Sequence, residues 1–385
     1  MLSTITVVAA LRHALICERH GFSHAAVASD EEIVEGISGN GFARSPLRRT
    51  PDDRRWFALN SDADLKVRTA GRLGFYDYAC SMCEPGVTLM LVKQSRSRWQ
   101  VSRYPLGRIL VRSGAAGGAT IAHGVSQPGS LVFLLRNSGH AHLMSLNGAA
   151  VAVDDIVVLP PGKPFVVACR GPYEWISFSV PLDVLEEAGF SPAQIETLGT
   201  VASVIRVPHW AALQLVAAAT SATAFFRNAR IPADAGRLSD IERTLLADLS
   251  AAVIRNSGPA SAASCQTRSL DSFVQRALAF IRAHELEDLH VGHLCRATDM
   301  AERSLLRAFH KLFGVGTTQY LKLRRLNRVH FALMASDCEV TTVAAVMAVH
   351  GVRELGRFAG TYKALFGESP SETLRKADAS IHPSY

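Results

Sequence analysis

Long apolar runs are missing from this chain: no stretch approaches the ~18 consecutive apolar residues of a membrane-crossing helix, so no span is expected. The opening segment, Met1 to Leu11, has no basic residue ahead of its apolar part, and Arg12 interrupts it. That does not suit a secretory signal, and nothing up to about residue 20 carries a readable function. Cysteine is scarce and odd in number: seven among 385 residues, at Cys17, Cys80, Cys83, Cys169, Cys265, Cys295 and Cys338. Such scattering excludes a disulfide framework and suits a reducing cytoplasm. Cys80-Ser-Met-Cys83 lacks the second half of a zinc site and lies in a strand-like context, so it reads as structural. What is present is a 48% hydrophobic composition, enough for two domains with cores, and a net charge of +7. A basic balance suits a polyanionic partner, although charge alone identifies none.

From about Arg72 to Pro181 the text runs in short apolar or alternating stretches broken by Gly, Pro and Asn, a β pattern. Leu131–Leu135, Ile156–Leu159 and Trp175–Val180 are the clearest. The last alternates, with Ile176, Phe178 and Val180 on one face and Trp175, Ser177 and Ser179 on the other. Asn147-Gly148 between apolar runs predicts a type I′ hairpin. Many short strands suggest a small barrel or jelly roll. The run from Asp154 to Phe165 is similar to the second cupin motif, in which a Pro-x-Gly turn precedes a metal-binding histidine. Here Phe165 stands in the histidine's place. The first cupin motif needs a glutamate soon after His-x-His, and His140-Ala-His142 is followed by none, so a metal would be short of ligands and no metal is expected. The arginines of 44–55 and 96–112 read mostly as solvated loop and strand faces.

Helical stretches follow at Asp183 to Glu187, Pro208 to Asn228 and Ala233 to Asn256. The second carries Trp210, Leu213, Val216, Phe225 and Phe226, more apolar surface than a lone helix can hide, so it packs on the barrel or on a second subunit. Asn256 to Thr267, rich in Ser, Gly and Ala, reads as a flexible linker.

Two similar units close the chain, each running into Phe-Gly: Phe313-Gly314 and Phe366-Gly367. In the first, Val291, Leu294 and Cys295 form one short helical face, and Leu305, Ala308, Phe309 and Leu312 form another after about four residues of turn. In the second, after a Thr341-Thr342 N-cap, the faces are Val343, Val346 and Met347, then Leu355, Phe358, Tyr362 and Leu365. Thr317 to Met334 reads as one amphipathic linking helix with a basic side at Lys322, Arg324, Arg325 and Arg328. Roughly 18 residues at ~1.5 Å each span about 27 Å, close to the ~34 Å between successive major grooves.

These residues resemble the AraC/XylS transcription regulators over about residues 270 to 376. The anchors are Leu294, Arg303, Leu305, Arg307, Phe309 and Phe313-Gly314, then Val343, Val346, Gly351, Phe358, Phe366-Gly367 and Pro370-Ser371. Cys295 and Met347 stand where the family usually has alanine, and Val352 replaces a usual Phe. The resemblance implies base-reading positions at Arg303, Leu306 and Arg307 in the first motif and Arg353, Gly356, Arg357 and Gly360 in the second. Phosphate contacts are expected from Lys311, Arg324, Arg328 and Lys363. The expected fold is an α+β multidomain chain: a lead (1–45), a cupin-like effector-binding barrel or jelly roll (46–181), a helical dimerisation region (182–256), a linker (257–269), an all-α double helix-turn-helix domain (270–377) and a tail (378–385). The function implied is a DNA-binding transcription regulator of the cytoplasm, an activator and not an enzyme. It would be homodimeric, with double-stranded DNA, a small-molecule effector of unknown identity and site, and RNA polymerase as partners, and no cofactor. The alternatives are a cupin-type enzyme with an appended DNA anchor, or a constitutive DNA binder whose barrel only dimerises.

Overall fold

The computed structural model describes residues 68–82, 86–95, 97–126, 128–138, 144–227, 235–256, 265–267, 271–284, 287–336 and 340–379. The expectations for the lead, for His140 and His142, for Cys17, Cys83 and Cys338, and for the arginines of 44–55 fall outside them. So do most of the expected linker and the last six residues of the tail.

Strand β1 (Arg68–Leu73) leads into helix α1 (Phe75–Met82). Strands β2 (Val87–Gln94), β3 (Trp99–Leu106), β4 (Ile109–Ala116), β5 (Gly118–Val125) and β6 (Ser130–Ser138) follow. Then come β7 (Met144–Leu146), β8 (Ala149–Val151), β9 (Asp155–Leu159), β10 (Pro164–Cys169) and β11 (Tyr173–Pro181). The Asn147-Gly148 turn between β7 and β8 has positive φ at both residues, 46° and 80°, as a type I′ hairpin requires. Cys80 lies in buried α1 and not in a strand, because Phe75, Tyr78 and Ala79 share one helical face that the barrel covers. Trp175 Nε1 donates to Tyr78 Oη at 2.9 Å, fixing α1 to β11.

The strands form two antiparallel sheets, ordered β1-β3-β4-β11-β6-β9 with two further strands at one edge, and β2-β5-β10-β7-β8. Period-two alternation then gives each sheet two jobs. Phe165, Val167 and Cys169 of β10 meet Val157, Leu159, Val132 and Leu134 of the facing sheet, making the inter-sheet core. Arg112 and Arg136 are also buried, at 6% and 4% exposure, so Arg112 is not on a solvated strand face. It shares its register row with Ser177, on the opposite face of β11 from the apolar Ile176 and Phe178.

Those apolar residues of β11 face a helical layer: α2 (Leu182–Glu187), α3 (Pro192–Thr200), α4 (His209–Arg227) and α5 (Ala235–Asn256), with β12 (Ser203–Arg206) between α3 and α4. Ser191 caps α3 with a reciprocal Gln194 capping box. Leu215, Ala219 and Ala222 of α4 and Leu245, Leu249 and Val253 of α5 are buried against the sheet. Of the expected apolar stripe of α4, Trp210 and Leu213 instead stand exposed at 59% and 53%. The side chains of Phe225 and Phe226 lie outside the description. Part of the expected linker is ordered: β13 (Cys265–Thr267) pairs with Ser203–Ile205 of β12 and extends the large sheet.

The remaining helices are α6 (Ser272–Ala283), α7 (Val291–Thr298), α8 (Glu302–Phe313), α9 (Thr317–Met334), α10 (Val343–Val349), α11 (Leu355–Phe366) and α12 (Pro370–Ala379). They dock on the outer face of the smaller sheet, where Met90, Ile121, Val166 and Ala168 join one core with Leu278, Leu305, Phe309 and Tyr320. Two buried polar ties cross this seam. Tyr320 Oη lies 2.9 Å from His123 Nε2, and the Asn327 carboxamide accepts from Leu91 N–H at 2.8 Å while donating to Leu91 C=O at 2.9 Å. Since β2 is the edge of its sheet, Asn327 occupies the place of a further strand.

Candidate nucleic-acid interface

The first helix pair is built by its ends as much as by its faces. Helix α7 stops at Asp299, held in the left-handed region at φ 55°, and after a short extended turn α8 begins with Glu302 in its first turn. Helix α8 ends on Gly314 at φ 71°, whose N–H donates to His310 C=O at 3.0 Å. This explains the first Phe-Gly pair: Phe313 closes the core at 3% exposure, and Gly314 supplies the conformation that stops the helix. Leu305 and Phe309 are wholly buried, which turns Arg303, Leu306 and Arg307 outward. Leu306 is 41% exposed, and its Cδ1 lies where a β-carbon at Gly316 would be only 2.7 Å away, so this side chain also covers the chain behind it.

The second pair repeats the plan. Thr342 Oγ1 accepts from Ala345 N–H at 3.2 Å and caps α10, and Gly367 at φ 77° closes α11. Tyr362 and Leu365 are buried, and Phe358 is half-buried, while Leu355, expected on that apolar face, is 45% exposed at the helix start. Arg353, Gly356, Arg357 and Gly360 are all exposed, with Arg357 Nη1 3.5 Å from Glu354. No atom lies within 4 Å of where β-carbons at Gly356 and Gly360 would be, so this helix face is open to close approach.

The linking helix α9 has the bounds expected from sequence and carries both motifs. Tyr320 lies against Phe309 and Phe313, with ring centroids 5.2 Å and 4.6 Å away. At the other end His330 stacks on Phe366 at 4.1 Å with an interplanar angle of 5°. His330 Nδ1 is 2.7 Å from Tyr362 Oη, which donates to Thr373 Oγ1, which donates to Glu368. In that order His330 Nδ1 carries a proton and donates to Tyr362. Burial first, and Lys376 second, lower the His330 pKa to about 3, so the ring is neutral. His123 is lowered to about 4 by burial and by Arg282 and Arg324, so this ring too is neutral where it meets Tyr320.

The expected phosphate contacts are placed unequally. Lys311 and Lys363 are exposed, although the Lys311 stem and carbonyl abut Gly148 of the β7–β8 turn. Arg324 and Arg328 are half-buried and line one cleft; Arg324 Nη2 donates to the Ile281 carbonyl at 2.9 Å, and neighbouring Arg325 pairs with Asp288. Sequence reasoning did not single out Asn327 or Tyr320 for the seam, or His350 for this cleft. A polar residue in the buried stripe Leu323, Leu326, Asn327 and His330 was the available signal.

Among the described residues no group of three His, Cys, Asp or Glu is disposed to hold a metal, and no helix is long and apolar enough to cross a membrane.

Two helix pairs with outward polar faces, held on one rigid helix, define a double helix-turn-helix module of the DNA-binding class. A Helix-turn-helix domain family model matches residues 294–376. Over 107 residues the chain is 29% identical to the XylDLEGF operon transcriptional activator of Pseudomonas putida, covering 28% of this chain and 33% of that protein. It is 33% identical over 107 residues to the probable thc operon regulatory protein of Rhodococcus erythropolis, covering 28% and 32%. The chain thus spans about a third of the length of these two relatives. Among solved structures it is similar to the AraC-like transcriptional activator CuxR, at 16% identity and TM-score 0.35 over 63% of this chain and 86% of that one. The C-terminal module is that of an AraC/XylS-family regulator.

Proposed function

We propose that the chain is a sequence-specific, DNA-binding transcription regulator acting in the cytoplasm, an activator whose two-sheet domain binds a small-molecule effector and which contacts RNA polymerase. The observation that carries this reading is the outward, solvent-facing disposition of Arg303 and Arg307 on α8, of Arg357 on α11 and of Arg353 just ahead of it, with both helices fixed to α9. Arginine one turn from arginine suits bidentate donation to guanine O6 and N7 in a major groove. The net charge of +7 favours the duplex generally, and Lys311 and Lys363 suit its phosphates. The two half-sites are expected to differ, because glycines occupy two reading positions on α11 only.

Replacing Arg303 or Arg307 by alanine should cost roughly 1–3 kcal/mol of discrimination at one base position of the selected site. Titration of wild type and variant against matched and mismatched duplexes measures it. Equal preference in both proteins would remove these residues from base reading. The same titration at several salt concentrations separates phosphate contacts, since losing one lowers the salt slope by about one.

A homodimer fits the surface of α4, where Trp210 and Leu213, one turn apart, hold exposed apolar area next to the buried helical layer. Trp210→Glu should shift sedimentation from dimer to monomer and leave the fold intact. A wild-type chain that sediments as a monomer removes the homodimer, and a variant that stays dimeric places the interface elsewhere.

A further inference from the structure

One cleft of the C-terminal module has no part in base reading. It lies between the two motifs, walled by Arg324, Arg325 and Arg328 of α9, by His350 just past α10, and by Glu287 and Leu289 ahead of α7. Its volume is ≈ 10 Å³, room for about one water-sized oxygen. Positive charge dominates it. Arg325 is paired with Asp288, which His290 also approaches at 3.8 Å, and Arg324 spends one Nη2 donor on the Ile281 carbonyl. Among the described residues, three guanidinium groups line the cleft with the carboxylate of Glu287, and Asp288, the partner of Arg325, packs against Gly351 beside the imidazole. The Nδ1 atom of His350 is buried and makes no hydrogen bond, an unusual state for a ring nitrogen in a native interior.

The cleft also adjoins elements of both motifs. Arg353, three residues beyond His350, begins the second reading surface, and Leu289 of the opposite wall directly precedes His290, the N-cap of α7, the first helix of the other motif. Helix N-termini in this position offer N–H groups to phosphate.

We propose that this cleft takes one backbone phosphate of the duplex segment between the two reading helices, and that His350 takes up a solvent proton as the phosphate arrives. The proposal rests on the DNA-binding reading above and adds a site and a linked proton to it. In the free protein, burial and the repulsion of Arg328 and Arg324 hold His350 at about 4, so it is neutral. An oxyanion set among these cations cancels the repulsion and supplies an acceptor for the imidazolium, raising the pKa in the complex. Between the free and bound values binding consumes a proton, and the duplex is held more tightly as pH falls. Above the bound value both states are neutral and the dependence vanishes.

The test uses the full chain and a duplex that it selects from random DNA, with Kd measured from about pH 5.5 to 7.5 at fixed salt. Uptake of one proton tightens binding by up to about tenfold per pH unit over part of this range. The other histidines of the module, His284, His290, His293 and His310 among them, are common to both proteins, so the informative quantity is the difference in slope between wild type and His350→Gln. A smaller slope in the variant is expected. An equal slope, with duplex selection intact, overturns the proposal and leaves the functional reading standing, whereas failure to select any duplex removes that reading too. Calorimetry of the wild type in two buffers of different ionisation enthalpy checks the uptake without a variant: buffer-independent heats at pH 6 overturn it. Inorganic phosphate alone, at matched ionic strength, separates the sources of the anion. A shift of the His350 ring titration by free phosphate as large as that by duplex overturns the assignment to DNA, and its absence supports it.

Discussion

Asn327→Leu should destabilise the folded chain by about 2–4 kcal/mol, although it replaces a polar residue inside a helix by an apolar one of similar size. Asn327 is 3% exposed, and its amide bonds both polar groups of Leu91 as well as donating to the Leu323 carbonyl at 2.8 Å. Leucine removes all of these contacts and leaves Leu91 N–H and C=O facing a hydrocarbon surface. A buried backbone group that loses its partner forfeits its full desolvation cost, which exceeds the modest net worth of a bond kept. The register of β2 against β5 also shifts between Leu91 and Lys93, so this part of the edge has least support from the sheet itself. Denaturant unfolding measures the loss, and hydrogen exchange at the Leu91 amide locates it. A change below about 1 kcal/mol with Leu91 still protected would show that water or another group satisfies the strand.

Phe309→Ala should cost more, about 3–5 kcal/mol, the usual range for truncating a fully buried phenylalanine. Its ring is wholly inaccessible and sits against Phe313 at 5.1 Å and Tyr320 at 5.2 Å, the latter edge-on at 81°. The same core holds Leu305, Ile121 and Val166, so the cavity opens where the first motif, the linking helix and the smaller sheet meet. The variant should lose duplex affinity along with stability, because Arg303 and Arg307 are aimed only by the faces buried beneath them. Arg303→Ala is the control: an exposed position away from the core should change stability by less than about 0.5 kcal/mol. If both variants unfold alike, the burial of Phe309 is not what organises the motif.

Much of this arrangement was legible in the sequence because local patterns carried it. The 3.6-residue spacing of apolar residues gave α8, α9 and α11, and the repeated Phe-Gly marked the left-handed stops that Gly314 and Gly367 adopt. Alternation gave β11 with both of its faces, and Asn147-Gly148 gave its hairpin. Three local readings failed where distant parts of the chain outweighed them. Residues around Cys80 became helix because the barrel covers one face of α1. Cys265–Thr267 became strand because β12 offered an unfilled edge. Arg112 went inside because its place on β4 puts it opposite Ser177, on the inner face.

The sequence by itself determined the paired motifs, the helix that joins them, the outward arginines and the short-stranded domain before them, since each follows from periodicity and turn chemistry within some twenty residues. Only the tertiary structure decided that the module rests on the smaller sheet through Asn327 and Tyr320, and that Arg324, Arg328 and His350 line one cleft. Partners far apart in the chain leave no periodic trace. A buried amide meets a strand 236 residues away because an edge strand's N–H and C=O must be satisfied, and no local pattern says which side chain will do it.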